Sequence, residues 1–134
     1  LPLIIHTRNA RKDTITIMQE EKANVSGGVM HCFTEDWEMA KQALDLGFYI
    51  SFSGILTFKN AKDIHEVAKK TPLEFILVET DSPYLSPEPY RGKPNVPGNV
   101  RYTAEYLAKL KGIPFEKVAE QTTQNFKKCF KWPI

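Results

Sequence analysis

The clearest strand signal in the sequence is Phe75-Ile76-Leu77-Val78, which leads directly into Glu79-Thr80-Asp81-Ser82-Pro83. An unbroken apolar run of this length, bounded by polar residues and a proline, is typical of a strand buried on both faces. Such strands occur mainly in parallel sheets, whose functional side chains collect at the carboxyl ends of the strands. The polar residues after Val78 therefore mark a candidate site.

Three further apolar runs precede this strand, and each is followed by a helical pattern. Strands and helices are predicted to alternate over residues 3–5, 13–22, 29–30, 37–44, 48–52 and 61–68. Thr34 and Trp37 have the spacing of a capping box before the second helix, although Trp37 replaces the usual Glu. Regular alternation of strand and helix predicts an α/β fold whose strands pair in parallel through right-handed crossovers.

The chain after the fourth strand is predicted to form a long loop and then helices. Five of the nine prolines lie between Pro83 and Pro97, which favours an irregular and functional loop. Apolar spacing predicts a helix over residues 100–108 and, after the break at Gly112-Ile113-Pro114, two short helices at 115–119 and 126–130. Trp37, Phe126 and Phe130 have helical spacing and are expected in the core.

Composition sets limits on the class of protein. The 134 residues, 42% hydrophobic and 25% charged, predict a single globular domain over residues 1–134. A net charge of +2 gives no broad positive field for nucleic acid, so a polyanion site would have to be local. The two cysteines form no CxxC pair, and no apolar run approaches the roughly 18 residues of a membrane span. We therefore expect a cytoplasmic protein with no membrane segment.

Three potential metal ligands follow predicted strands. His6 follows the first strand, His31 the second and Asp81 the fourth, so all three would meet at one edge of a parallel sheet. Imidazole and carboxylate groups suit zinc, manganese or iron, and Asp81 could also take the proton of an attacking water. The alternative is that each histidine is a hydrogen-bonded packing residue.

The loop after the fourth strand carries three candidates for substrate binding. Arg91, Lys93 and Asn95 could contact a phosphate group, Arg91 through a bidentate fork and Lys93 as a point charge. The alternative is a solvated loop.

Several neighbouring polar residues allow two interpretations. Glu79 could orient a ligand or a water held by Asp81, or it could pair with a nearby cation. Ser51 and Ser53 could donate to a phosphate or satisfy backbone groups at the turn. Cys32 is expected to be a buried packing thiol.

Five motifs of this sequence resemble, in the same order, motifs of a known family. They are Ile4-Ile5-His6-Thr7-Arg8, Gly28 to Phe33, Phe48 to Gly54, Leu77 to Leu85 and Arg91 to Asn95. The family that they resemble is the TatD family of metal-dependent deoxyribonucleases in the amidohydrolase-like superfamily. The most specific segments are His31-Cys32-Phe33 and Glu79 to Leu85, and the resemblance covers nearly the whole chain.

The resemblance implies the C-terminal half of a TIM-type (β/α)8 barrel, with strand-helix units 5 to 8 on this chain. The family's other half carries an HxH pair and a metal-bridging Glu, and no HxH occurs in this sequence. The chain starts with Leu1 inside an apolar run, so an N-terminal part is expected to be missing. His6 and His31 would bind one divalent ion, and Asp81 would bind a second while acting as catalytic base. The metals would be Mg, Mn or Zn. The substrate would be the end of a DNA strand, or of an RNA strand.

Two alternatives stay open at this point. The same superfamily barrel serves hydrolysis of amides and esters, because fold does not fix substrate. A half-barrel with open sheet edges could instead be catalytically incomplete and pair with a second copy or with the missing half.

Overall fold

The computed structural model describes residues 1–133, and Ile134 lies outside the described residues. Its sheet has four parallel strands in the order β1-β2-β3-β4. These are β1 (Leu3–Ile5), β2 (Gly28–Met30), β3 (Phe48–Phe52) and β4 (Ile76–Val78). The register aligns Ile4 with Val29 and Val29 with Tyr49. The predicted parallel α/β arrangement is confirmed.

Six α-helices accompany the sheet in the described residues: α1 (Arg11–Glu20), α2 (Ala23–Ser26), α3 (Trp37–Asp45), α4 (Lys62–Lys70), α5 (Val100–Lys111) and α6 (Phe115–Phe130). The main core lies between one face of the sheet and the helices. It includes Met30, Ile50 and Ile76 from the strands, packed with Ala43 of α3 and Leu107 of α5. Alternation along each strand directs the neighbouring residues to the opposite face.

The opposite face of the sheet is only partly covered. Val29 and Leu77 pack there against Cys129 and Phe130 at the end of α6. A groove of about 430 Å³ remains between the sheet and this helix, and the side chains of His31 and Glu79 also line it. The polar residues at the strand ends therefore border an apolar groove.

The last helix differs from the sequence prediction. We expected two short helices, but α6 is one 16-residue helix. The two helices were inferred from two separate apolar clusters, but Thr122 and Asn125, polar residues between these clusters, are buried as well. Asn125 Nδ2 donates to the carbonyls of Leu73 and Ile76 at 2.8 Å each, which attaches the middle of α6 to the start of β4. Polar side chains here serve packing, so the helix continues through them.

Some other local predictions were wrong. Phe126 was expected in the core but is 43% exposed beside Phe130 and Trp132. The cap of α3 is Asp36, which accepts from the backbone N–H of Met39 at 3.0 Å, and not Thr34.

Gly28 allows β1 and β2 to approach closely. A Cβ at this position would lie 2.0 Å from the carbonyl oxygen of Leu3.

No helix within residues 1–133 has the length and apolar character needed to cross a membrane.

Candidate metal centre

Three side chains with metal-ligating atoms meet at the carboxyl edge of the sheet. They are His31, Glu79 and Asp81, and one ligand atom of each lies within 4.8 Å of the other two. Nε2 of His31 is 2.9 Å from Oε1 of Glu79 and 3.8 Å from Oδ1 of Asp81. Two carboxylates around one imidazole form a donor set of the kind that binds divalent cations.

Backbone pairing at the strand ends sets the position of these residues. The N–H of His31 donates to the carbonyl of Ile5 at 2.8 Å, and the N–H of Glu79 donates to Phe52 at 3.0 Å. These bonds continue the parallel ladder beyond β2 and β4. His31 and Glu79 are therefore held by the sheet, and only Asp81 lies on irregular backbone.

Asp81 has a left-handed backbone conformation, with φ of 57°. This region is unfavourable for residues with a side chain, although Asp and Asn tolerate it better than most. Strained backbone of this kind is concentrated at functional sites. The chain turns away from the strand at Asp81, and the carboxylate of this residue lies next to His31 and Glu79.

Glu79 connects three strand ends through a single oxygen. Its Oε2 accepts from the backbone N–H of Cys32 at 2.9 Å and from the Ser51 hydroxyl at 2.5 Å. Ser51 therefore donates to a carboxylate, which is neither of the two uses that we considered for the serines. The side chain of Glu79 is fixed in place before any ligand arrives.

The other oxygen of Glu79 lacks a donor. Oε1 is buried and has no hydrogen-bond partner among the described residues. It faces Nε2 of His31 at 2.9 Å, but the two atoms are not aligned as a hydrogen bond. A buried charged oxygen without a donor is costly, and a cation between these atoms would remove that cost. The residues present therefore fit a divalent metal ion.

His6 lies beside this cluster. Its ring centroid is 5.9 Å from that of His31, with the two planes tilted by 58°. The side chain of His6 is exposed, whereas that of His31 is half-buried. The structure thus brings His6, His31 and Asp81 to one edge, and ligation by them stays a prediction.

Cys32 is buried next to His31 and donates to the Ser53 hydroxyl at 3.5 Å. Burial raises the pKa of its thiol to about 11, so the sulfur stays protonated at neutral pH. Metal ligation needs the thiolate. The side chain therefore behaves as the packing residue that we expected.

The loop over residues 83–97 is anchored close to Asp81. Asn95 is 4% exposed, and its Nδ2 donates to the carbonyls of Thr80 and Tyr84 at 2.8 Å each. Gly54 lets the loop approach, because a Cβ there would lie 2.1 Å from the carbonyl oxygen of Leu85. The Asn95 side chain thus supports the loop, and its contact with substrate stays a prediction.

The two basic residues of the loop are exposed. The guanidinium carbon of Arg91 lies 3.8 Å from the ring centroid of Phe58, a cation–π contact that still leaves the charge in solvent. The backbone carbonyl of Lys93 accepts from the Ser86 hydroxyl, which fixes the backbone at this residue. The charged groups of Arg91 and Lys93 are both accessible to an anionic ligand in solution.

Glu79 was missing from the ligands predicted from sequence, where we considered it as an orienting group or as the partner of a nearby cation. The signal for it is its position relative to Asp81. Residues two apart on an extended strand share a face. Asp81 leaves the strand through its left-handed backbone, but its carboxylate still lies in one cluster with that of Glu79. The structure makes Glu79 the best fixed carboxylate of this cluster.

A family model described as TatD related DNase matches residues 1–131. Among curated relatives, the metal-dependent hydrolase YcfH of Escherichia coli K12 is 58% identical over 96% of this chain and 49% of its own length. The metal-dependent hydrolase YabD of Bacillus subtilis is 50% identical over 98% of this chain and 51% of its own. The chain therefore spans about half the length of these relatives.

Solved structures give the same result. The TatD homologue YJJV of Escherichia coli superposes with a TM-score of 0.91 at 27% identity, over 99% of this chain and 51% of that one. A TatD family hydrolase from Entamoeba histolytica gives 0.85 at 23% identity, over 96% of this chain and 50% of that one, which supports the fold alone. The predicted fold class, half of a (β/α)8 barrel, is confirmed.

Proposed function

Because this chain belongs to the TatD related DNase family, we propose that it carries part of the metal centre of a hydrolase that cleaves phosphodiester bonds. The observation that supports this most is the unsatisfied Oε1 of Glu79, which faces Nε2 of His31 next to the Asp81 carboxylate. On this proposal residues 1–134 are strand-helix units 5 to 8 of the barrel.

The site residues take the following roles. His6 and His31 hold one divalent ion, and Asp81 holds a second and accepts the proton of the attacking water. Glu79 completes the donor set or orients His31 through the 2.9 Å contact. A bound divalent ion supplies a water of lowered pKa and neutralises charge on the phosphate. The metal is Mg, Mn or Zn, which these ligand types accept.

The substrate is the end of a DNA strand, with RNA as the alternative. Arg91 and Lys93 are exposed on a loop that Asn95 fixes near Asp81, so they can contact phosphate groups close to the reacting one. The overall charge of +2 is small, and this local pair therefore supplies the attraction.

A centre with two metals needs more ligands than this edge provides. The HxH pair and the Glu of the family lie in the other half of the barrel, so we propose that this half or a second copy completes the site. Both free cysteines are buried, and the proposed location is the reducing cytoplasm.

The test is hydrolysis of a 5′-labelled single-stranded oligonucleotide in Mg²⁺ or Mn²⁺, with a p-nitrophenyl ester measured in parallel. The full-length protein is expected to shorten the oligonucleotide from one end. Asp81→Asn should reduce the rate at least a hundredfold, whereas the control Glu66→Gln, an exposed residue of α4, should leave it unchanged. Ester cleavage without loss of oligonucleotide would support the amide or ester hydrolase instead.

A further inference from the structure

A buried carboxylate joins the two loops that carry the histidines. Glu35 is 5% exposed and lies on the loop between β2 and α3. Its Oε1 accepts from the backbone N–H of Asn9 at 3.2 Å, and its Oε2 accepts from Nε of Arg11 at 2.5 Å. Asn9 and Arg11 follow β1. Glu35 thereby connects the loop that starts at His6 with the loop that starts at His31.

Arg11 extends this connection to the start of α3. Its Nη1 donates to Oδ2 of Asp36 at 2.5 Å, and Asp36 caps α3. The two carboxylates raise the pKa of Arg11, mainly through the hydrogen bond with Glu35, so its charge is permanent. The buried charge of Glu35 is thus paired and hydrogen-bonded, as a buried carboxylate must be.

The loop after β1 has few other attachments. Within residues 1–133, β1 has three residues and pairs with β2. Asn9 has a left-handed conformation, with φ of 54°, which the hydrogen bond from its N–H to Glu35 helps to hold. Two hydrogen bonds that involve a side chain attach residues 6–10 in the described structure: the contact between the hydroxyls of Thr7 and Thr14, and the bond from the backbone N–H of Asn9 to the carboxylate of Glu35.

We propose that Glu35 is a positioning residue that sets the separation of the His6 and His31 rings, and thereby the affinity of the site for a divalent metal. The carboxylate of Glu35 has hydrogen bonds and an ion pair with Asn9 and Arg11, and none with either ring in the described residues, so it acts through the backbone that carries His6. The inference rests on the proposed function, because it requires that His6 and His31 bind one ion. Residues that orient metal ligands typically change metal affinity by about 10- to 100-fold when they are replaced.

The test is Co²⁺ titration of the chain, read from visible absorption, on variants shown by circular dichroism to be folded. Glu35→Gln keeps the shape of the side chain but removes the charge that pairs with Arg11, and we expect Co²⁺ affinity to fall about tenfold. The matched control is Glu38→Gln, an exposed carboxylate on α3, which should bind Co²⁺ like wild type. Should Glu35→Gln fail to fold, Arg11→Gln changes the same pair from the exposed side.

A second step separates positioning from a general loss of stability. If Glu35 acts through His6, Glu35→Gln should have no further effect on Co²⁺ affinity in a His6→Ala background. Equal losses in the two backgrounds, or a Glu35→Gln variant that binds like Glu38→Gln, would overturn the inference. A wild-type chain that binds no Co²⁺ would overturn the assignment of His6 and His31 to one ion, on which the inference rests, whereas the proposed hydrolysis is tested separately by the oligonucleotide assay.

Discussion

Oε1 of Glu79 and Nε2 of His31 lie 2.9 Å apart at the carboxyl edge of the sheet, and the two atoms do not form a hydrogen bond. Each belongs to a side chain held by the backbone ladder. The two side chains are therefore fixed before metal binds. Burying Oε1 of Glu79 without a donor destabilises the metal-free protein, and a bound cation would remove this cost and so bind more tightly.

Glu79→Gln tests whether the Glu79 carboxylate raises metal affinity at the expense of stability in the metal-free protein. The variant keeps an oxygen that accepts from Cys32 and Ser51, but it removes the negative charge next to Asp81. We expect metal affinity to fall about tenfold while the free energy of unfolding without metal stays the same or rises. Calorimetric metal titration and urea unfolding measure the two effects. A parallel loss of both would show that Glu79 is structural only.

Asp81→Gly separates backbone strain from chemistry. Glycine adopts the φ of 57° at this position without strain, so the free energy of unfolding should rise by about 0.5–1 kcal/mol. Hydrolysis should be lost, because the carboxylate is gone. Asp81→Ala is the matched control: it loses activity equally but is less stable than Asp81→Gly in urea. Equal stability of the two variants would argue against strain at this residue.

Arg91→Gln should weaken substrate binding and leave the chemical step intact. Loss of one phosphate contact predicts a several-fold higher KM for the oligonucleotide, an unchanged kcat, and a salt dependence of log affinity about one unit shallower. The exposed Lys41→Gln on α3 is the control for net charge. A drop in kcat at constant KM would place Arg91 in the reaction and contradict this role.

Asn125→Ala should destabilise the fold and leave the strand-end site intact. The substitution leaves the carbonyls of Leu73 and Ile76 without their donor in a position that is 0% exposed. We expect the free energy of unfolding to fall by about 2–4 kcal/mol. Gln124→Ala, exposed on the same helix, should change it little. Urea unfolding of both variants decides the prediction.

Lys111 gives a pH dependence of stability. Desolvation lowers the pKa of its ammonium group, which donates to the carbonyl of the fully buried Thr71 at 2.6 Å. The native state therefore releases this proton at lower pH than the unfolded chain does. The stability of wild type relative to Lys111→Met should then rise as pH increases towards about 10.5. A difference that is flat or falls over pH 8–10.5 would contradict the shift; Lys109→Met, exposed on α5, is the control.

The sequence predicted most of the fold because its main elements have clear local signals. β3 matches the predicted residues 48–52, because four of these five residues are aromatic or β-branched. α6 was divided wrongly because the burial of Asn125 depends on two carbonyls far away in sequence. No local pattern distinguishes such an asparagine from a solvated one.

In the candidate site, too, the residues with a local sequence signal could be predicted, and those that depend on distant contacts could not. His6, His31 and Asp81 could be predicted, because each follows a strand and parallel strands bring their carboxyl ends together. Glu35 could not, since its partners Asn9 and Arg11 lie in another loop and the contact exists only in the folded chain. The unsatisfied oxygen of Glu79 likewise depends on which donors its other oxygen has already engaged.

The proposed metal centre requires that divalent cations bind at the strand ends that carry His6, His31, Glu79 and Asp81. Electron paramagnetic resonance of Mn²⁺ titrated into the chain tests it most directly, with His31→Ala, Asp81→Asn and the control His65→Gln, whose ring lies on α4 and contacts the carbonyl of Leu56. We expect saturable binding by the wild type and by His65→Gln, and at least a tenfold loss of affinity in His31→Ala and Asp81→Asn. Absence of saturable Mn²⁺ binding, or equal affinity in all four proteins, would contradict it.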